Sequence, residues 1–278
     1  MTATVWIGTN AGGGLVDAEA ARIAYDDHGI TVGDGVFETV KLAGGVPFAL
    51  TRHLRRLGVS AAHLRIPMPS HERLSEAVDA VCAHHDGDGY LRVTLTAGPG
   101  PLGSNRGDLQ PTLIVAIRPG DVRTDPTDVI VVPWTRNERG ALAGVKSTSY
   151  GENVLALAAA ADAGASEALF ANTRGELCEG TGSNVFVGFG DRLLTPPLDS
   201  GCLAGVTREL LLEAGIGAEE AIALDRLPDA TEMFLVSTGR EVQPVRHVDG
   251  RELPWCSGPL TVEARRVWLE RIAPRQDP

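Results

Sequence analysis

The sequence predicts a two-domain α/β protein of the α+β type, on three observations. Its 278 residues are too many for one small domain and enough for two modest ones with cores of their own. Helical stripes and alternating strand runs both recur along the whole chain. Between Arg118 and Pro126 the chain is charged, carries two prolines and has no periodicity, as a link between domains would. The expected division is a first domain over 1–119, a linker over 120–127 and a second domain over 128–278.

Formal net charge is −11, which argues against nucleic acid and anionic membrane surfaces as partners. An anionic small molecule is still accommodated wherever arginines converge. Cys82, Cys178, Cys202 and Cys256 are scattered and form no C-x-x-C. That spacing implies reduced thiols, no disulfide frame and no zinc site. The sequence has no apolar run long enough to span a bilayer and no basic segment leading into an apolar core at its start. The chain is therefore read as a mature, cytoplasmic protein.

Taken in order, Val5–Ile7 is a short strand, Gly12–Gly14 a loose turn, and Leu15-Val16 its resumption. Those glycines lack a G-x-G-x-x-G pattern and a following lysine, so a hairpin turn is preferred to a phosphate loop. Val36, Thr39 and Val40 are strand formers, Gly44-Gly45 turns the chain, and Val46–Ala49 returns. Gly29, Gly33 and Gly35 require positive φ or close packing. Leu50, Leu54, Leu57, Ala61 and Leu64 form the apolar stripe of a helix, with His53 and Arg56 one turn apart on another face. By spacing alone, that pair reads as solvated. Ser70 caps a second helix, whose Leu74, Val78 and Val81 point inward. Tyr90–Thr96 alternates, with Leu91, Val93 and Leu95 on one face and Tyr90, Arg92 and Thr94 on the other. An arginine within a strand needs a partner or an anionic ligand. Gly98–Asp108 is a loop and Thr112–Ile117 a buried strand.

In the second half, Val129–Pro133 opens a strand. Lys146 follows in a segment of small and polar residues. A helical run carries Val154, Leu157 and Ala161 on one face. Glu167–Ala171 is a strand, Thr173–Gly175 a turn and Asn184–Val187 a further strand. Between them lies Glu179, followed by Gly180, Thr181, Gly182 and Ser183. The lysine and the glutamate each sit beside small residues, which leaves room for a flat ligand. Arg192–Thr195 is extended, and Ser200–Ile216 is a loop entering a helix at Gly205-Val206-Thr207. Such a helix start, with a hydroxyl beside its N–H groups, is an anion site or an ordinary capped helix. Met233–Val236 is a strand ending in Ser237-Thr238-Gly239, and Pro259–Arg271 is a final helix.

Read together, these residues match a cofactor bearing an aldehyde, a phosphate and a basic ring nitrogen. A lysine amine condenses with the aldehyde. A carboxylate keeps the ring nitrogen protonated, which makes the ring an electron sink. N–H groups, hydroxyls and an arginine bind the phosphate.

The chain resembles the class IV (fold type IV) pyridoxal-phosphate enzymes: branched-chain aminotransferases, D-amino acid transaminases and 4-amino-4-deoxychorismate lyases. The resemblance runs from about Val5 to Gly250. It is carried by GDGVFET at Gly33–Thr39, HLRRL at His53–Leu57 and K-x-x-x-Y-x-x-N-V-L-A from Lys146 to Ala156. GASEALF at Gly164–Phe170, CEGTGSNVFV at Cys178–Val187, TPPLDSGCLAGVTR at Thr195–Arg208 and REVQPV at Arg240–Val245 continue it.

The resemblance implies a small N-terminal α/β domain and a larger C-terminal domain with a β-barrel-like core. It implies pyridoxal 5'-phosphate as cofactor, and a homodimer. Lys146 becomes the Schiff-base lysine and proton shuttle, and Glu179 the partner of the ring nitrogen. Arg56, Val206, Thr207 and Thr238 become phosphate ligands, and Tyr150 a partner of the ring's phenolic oxygen. Arg92 is the first candidate to bind a substrate carboxylate, with Tyr90 beside it and Arg240 second.

Among the activities, D-amino acid transaminases usually carry a tyrosine where this chain has Ile30 and an arginine where it has Ala97. Tyr90-x-Arg92 resembles a strand of the branched-chain enzymes, but their H-Y-G element is missing around Gly33. GDGVFET, PLGSNRGD and REVQPV together most resemble 4-amino-4-deoxychorismate lyase. That activity, giving 4-aminobenzoate and pyruvate, is the expectation. The alternative is an aminotransferase for branched-chain L-amino acids, D-amino acids or (R)-amines.

Overall fold

The structure is a computed structural model describing residues 4–9 and 12–278. The chain folds into two compact units. The first contains Met1–Asp121 together with Val145–Tyr150 and Asp277; the second contains Val122–Gly144, Gly151–Gln276 and Pro278. The lysine segment thus packs with the first unit, whereas the sequence reading ran the second domain unbroken from 128.

The first unit is built on a six-stranded antiparallel sheet in the order β2-β1-β6-β5-β3-β4. The strands are β1 (Thr4–Thr9), β2 (Gly12–Asp17), β3 (Gly35–Ala43), β4 (Val46–Pro47), β5 (Gly89–Thr96) and β6 (Thr112–Pro119). The single turn α1 (His28–Thr31) precedes β3. Helices α2 (Leu50–His63) and α3 (His71–Cys82) pack on the sheet. Their stripes supply Leu57, Ala61, Leu74, Val78 and Val81 to a core that includes Leu91, Val93 and Leu95 of β5. Ser70 accepts the Arg73 N–H and starts α3, as a side-chain cap should. Gly12–Gly14 are not a turn but part of β2. They pair with Thr9, Gly8 and Ile7 of β1, and a Cβ on Gly13 would meet the Trp6 ring at 2.4 Å.

The second unit holds nine strands: β7 (Thr127–Arg136), β8 (Glu167–Asn172), β9 (Leu177–Gly180), β10 (Asn184–Phe189), β11 (Arg192–Thr195), β12 (Ala218–Glu219), β13 (Glu232–Ser237), β14 (Glu241–Val248) and β15 (Arg251–Glu252). Their order is β12-β11-β10-β13-β14-β7-β8-β9, with β15 on β14. The sheet is mixed: β14, β7 and β8 run parallel, and most other pairs are antiparallel. β9 returns beside β10, where the Gly180 N–H donates to the Ser183 carbonyl, so the sheet curls around its core. Leu169, Leu177, Val185, Val187, Met233, Leu235 and Val245 fill that core. β7 begins inside the expected linker, and β6 runs to Pro119.

Helix α4 (Gly151–Asp162) packs on β7 and β8 through Ala156 and Ala160, whose small side chains let the backbones approach. Val154 and Leu157 therefore face outward, 65% and 43% exposed. Helix α5 (Val206–Glu213) lies against β13, and α6 (Pro259–Val267) against β13 and β14. The expected final helix is α6 continued by one wide π-type turn over Trp268–Ile272. Among the described residues, no helix is long and apolar enough to cross a membrane.

Candidate active site

In the first unit, Lys146 is fixed by an irregular strand-like segment alongside β3. Its carbonyl accepts the Phe37 N–H at 3.0 Å, Ser147 bridges Val36, and the Thr148 N–H reaches the Gly35 carbonyl at 2.8 Å. The glycines of GDGVFET make this approach possible. Gly33 has φ of 69°, and a Cβ there would meet Ser149 Oγ at 2.6 Å. A Cβ on Gly35 would meet Thr148 Oγ1 at 3.0 Å. Lys146 Nζ lies 4.3 Å from the Phe37 ring centre and 5.9 Å from that of Tyr150. The two rings pack edge to face at 5.3 Å.

Arg92 reaches the same phenylalanine, its guanidinium carbon 3.3 Å from the Phe37 ring centre. Its Nη1 faces Thr39 Oγ1 and its Nε faces Thr94 Oγ1, both at 3.4 Å. Desolvation lowers Arg92 to about 10, against the opposing pull of Tyr150 and Glu38, so it remains a cation at neutral pH. Tyr90 donates its hydroxyl to the Asp121 carbonyl at 2.7 Å.

Arg56 is not the solvated helix residue that spacing alone describes. Its Nε donates to Glu38 Oε1 and its Nη2 to Glu38 Oε2, both at 2.7 Å. His53, buried on the same helix face, sets Nδ1 2.7 Å from Glu38 Oε2. Glu38 has no solvent exposure. Burial pushes its carboxyl up, but the charge and hydrogen bonds of Arg56, helped by the hydrogen bond of His53, outweigh burial and hold it at about 2. Burial pushes His53 below its ordinary 6.5, against Glu38, which leaves a neutral ring donating Nδ1–H.

Because Glu38 titrates lower when folded, its contribution to stability is complete above about pH 5 and is lost as pH falls toward 2. From the shift, the contribution is on the order of 3 kcal/mol. In urea titrations the midpoint of wild type should exceed that of Glu38→Gln by a constant margin between pH 7 and 5. The margin should narrow by pH 3, and one that stayed constant to pH 3 would refute this linkage.

In the second unit, Glu179 lies on β9, a short strand between the two runs read from the sequence. The β8–β9 ladder skips Cys178, so Leu177 enters the core while Glu179, two residues on, lies opposite Phe170. This bulge reverses the face that simple alternation assigns. Glu179 Oε2 accepts the Leu203 N–H at 2.9 Å, and Oε1 lies 3.6 Å from Arg136 Nε. Arg136, at the end of β7, stacks over the Phe170 ring at 4.4 Å and faces Asn153 Oδ1 at 3.4 Å. Its buried Nε makes no hydrogen bond. Sequence reasoning missed Arg136, Glu38 and His53 as site residues; only the spacing of His53 and Arg56 hinted at the cluster in the first unit.

Helix α5 starts at Gly205 without a side-chain cap, so the N–H groups of Val206 and Thr207 have no side-chain acceptor there. Asn184 Nδ2 donates to the Leu203 carbonyl at 2.9 Å. A Cβ on Gly205 would meet Asn184 Oδ1 at 1.9 Å, so only glycine fits. Thr207 is buried, and Thr238 lies just past the end of β13. Arg240 is 7% exposed and turned inward. Its Nη2 reaches the Ser166 carbonyl at 3.0 Å and Glu167 Oε2 at 3.3 Å, and its Nη1 reaches Gln243. These contacts hold Arg240 inside the second unit.

The donor set fits pyridoxal 5'-phosphate: a half-buried amine in the first unit, and in the second a carboxylate with a cationic neighbour and an uncapped helix start. The amino-transferase class IV family model matches residues 35–248. The chain belongs to the class IV aminotransferase family. A Methanocaldococcus jannaschii protein, provisionally named branched-chain-amino-acid aminotransferase, is 36% identical over 250 residues, covering 86% of this chain and 87% of that protein. The D-alanine aminotransferase of Bacillus licheniformis is 32% identical, covering 90% and 91%. Among solved structures, the branched-chain aminotransferase of Escherichia coli superposes with a TM-score of 0.88 at 26% identity, covering 98% of this chain and 95% of that one. A Legionella pneumophila structure, provisionally named 4-amino-4-deoxychorismate lyase, gives 0.83 at 25% identity, covering 91% and 96%. The mixed α/β fold with its curled sheet is that of the fold type IV enzymes. The family depends on pyridoxal phosphate, and other similar solved structures, from Mycobacterium tuberculosis and Thermobaculum terrenum, hold it.

Proposed function

We propose that this class IV enzyme is an aminotransferase moving the amino group of a branched-chain L-amino acid to a 2-oxo acid. The observation that carries this reading is the pair of cations, Arg92 and Lys146, on the one Phe37 ring. That arrangement suits an amino acid whose carboxylate pairs with Arg92 while its amine-bearing carbon faces Lys146. The aminotransferase names of the relatives support it, including the 36% identical protein named for branched-chain substrates. Ile30 and Ala97, where D-amino acid transaminases usually carry tyrosine and arginine, weigh against D-substrates. Tyr90, two residues before Arg92, lines the same side of β5 in this reading.

Bound pyridoxal phosphate would supply the aldehyde that takes the substrate amine and the ring that accepts its electron pair. Lys146 Nζ would take the proton from the carbon bearing nitrogen and hold it for return on the far side of that nitrogen, two atoms along. Glu179 holds the proton on the ring nitrogen. Tyr150 donates toward the ring's phenolic oxygen. Arg56 in the first unit, and Val206, Thr207 and Thr238 in the second, bind phosphate oxygens. The working form is a homodimer, for which Val154, Leu155 and Leu157 on the outer face of α4 supply an apolar surface. Its compartment is the cytoplasm, in keeping with four free cysteines.

The second reading is 4-amino-4-deoxychorismate lyase, favoured by GDGVFET, PLGSNRGD and REVQPV and by the Legionella neighbour. One substrate panel separates the two. L-leucine, D-alanine and an (R)-amine are each supplied with 2-oxoglutarate or pyruvate, and 4-amino-4-deoxychorismate is supplied alone. Transfer from L-leucine, with no aromatic product from the last substrate, is expected. 4-Aminobenzoate formed without any acceptor, and no transfer from L-leucine, would replace the aminotransferase by the lyase.

A further inference from the structure

We infer that Glu38 and His53 are positioning residues that aim Arg56 at the cofactor phosphate, an inference resting on the role given to Arg56 above. The starting point is a charge balance that a simple anion site would not have. Arg56 already faces a full carboxylate, and His53 beside it is neutral, so the cluster has no net positive charge to offer a phosphate. Two parallel hydrogen bonds from one edge of the guanidinium to Glu38 instead fix its plane and the direction of its remaining N–H donors. Glu38 is itself immobile. It lies within β3 with no exposure, and the His53 Nδ1–H holds Oε2 from a second side. The group that binds is on α2, and the group that aims it is on the neighbouring strand of the same unit. Phe37, one residue before Glu38, contacts Lys146, so β3 sets the lysine and the arginine from adjacent positions.

Two alternatives make opposite predictions. If net charge governed phosphate binding, removing the carboxylate would tighten it. If the cluster were only a structural tie between α2 and β3, removing it would weaken every ligand alike. If Glu38 positions Arg56, removing it weakens only ligands that carry the phosphate.

The test is titration of the full-length apoprotein, followed by absorbance, with pyridoxal 5'-phosphate and with pyridoxal, which lacks the phosphate. Glu38→Gln keeps the volume but turns an amide N–H₂ toward donors. It should weaken pyridoxal phosphate by about ten- to a hundredfold, as loss of partners that orient metal ligands does, and leave pyridoxal within about twofold. His53→Leu should shift affinity in the same phosphate-selective direction, and His53→Asn, which restores a donor near Nδ1, should recover part of the loss. Should Glu38→Gln fail to fold by circular dichroism, Glu38→Asp carries the test, because it keeps the charge and draws the carboxylate back from the fork. Arg56→Ala is the reference: a phosphate-selective loss upholds its assigned role, and no selective loss removes that role and this inference together. With Arg56→Ala selective, unchanged or tighter pyridoxal phosphate binding by the Glu38 variant, or equal weakening of both ligands, overturns the inference alone.

Discussion

Lys146→Ala should lower turnover of an amino acid with a 2-oxo acid by about four orders of magnitude or more. The side chain is assigned two functions, and the variant loses both. One is the covalent capture of the cofactor aldehyde, which splits a difficult exchange into easier steps. The other is proton transfer at the substrate carbon, where a positioned base alone contributes about 10²–10⁴. No other lysine lies within four residues in sequence, and the neighbours of Nζ, Phe37 and Tyr150, carry no basic amine. Borohydride treatment should attach the cofactor to the Lys146 peptide of wild type and leave the variant unlabelled. A small primary amine added to the variant should restore part of the turnover, since a half-buried site emptied of a side chain can admit one. Turnover within tenfold of wild type, or a label on another lysine, would remove Lys146 from the mechanism.

Where periodicity decides an element, the sequence was sufficient. The stripe through Leu57 and Ala61, the Ser70 cap and the alternation of Leu91, Val93 and Leu95 all appear as read. The failures share a cause, which is that long-range contacts override local pattern. Gly12–Gly14 look like a turn because glycine is permissive, yet they are extended in β2, where Gly13 lies against the Trp6 ring. The spacing of Val154 and Leu157 says only that they share a face; that face is the outer one, because the inner face of α4 is set by alanines that admit close approach to β7 and β8. β9 is too short for alternation to reveal, and its bulge at Cys178 reverses the side that Glu179 faces. Lys146 and Glu179 stood out as residue types beside small neighbours, but Arg136 sits at a strand end and carries no local signal. Only the fold brings it to Glu179.

That last contact sharpens what Glu179→Gln should do. The carboxylate has one oxygen on the Leu203 N–H and the other facing the guanidinium of Arg136, so both neighbours stabilise negative charge there. Glutamine can keep its oxygen on the Leu203 amide only by turning an N–H₂ toward Arg136, a donor that already lacks a hydrogen-bond partner. The reversed orientation keeps an acceptor before Arg136 and places two donors face to face at Leu203. In neither orientation does the side chain hold a proton on the ring nitrogen of the cofactor by charge. The electron pair released at the substrate carbon then has a poorer acceptor, and the cost falls on the transition state and not on binding. Turnover should fall by about two orders of magnitude, on the scale of one preorganised electrostatic contact. Affinity of the apoprotein for the cofactor should change by less than about tenfold, because the phosphate ligands are untouched. Steady-state kcat and an independent cofactor titration check both halves of the expectation. A fall in cofactor affinity with kcat preserved would make Glu179 a binding residue, and preservation of both would take it out of the site.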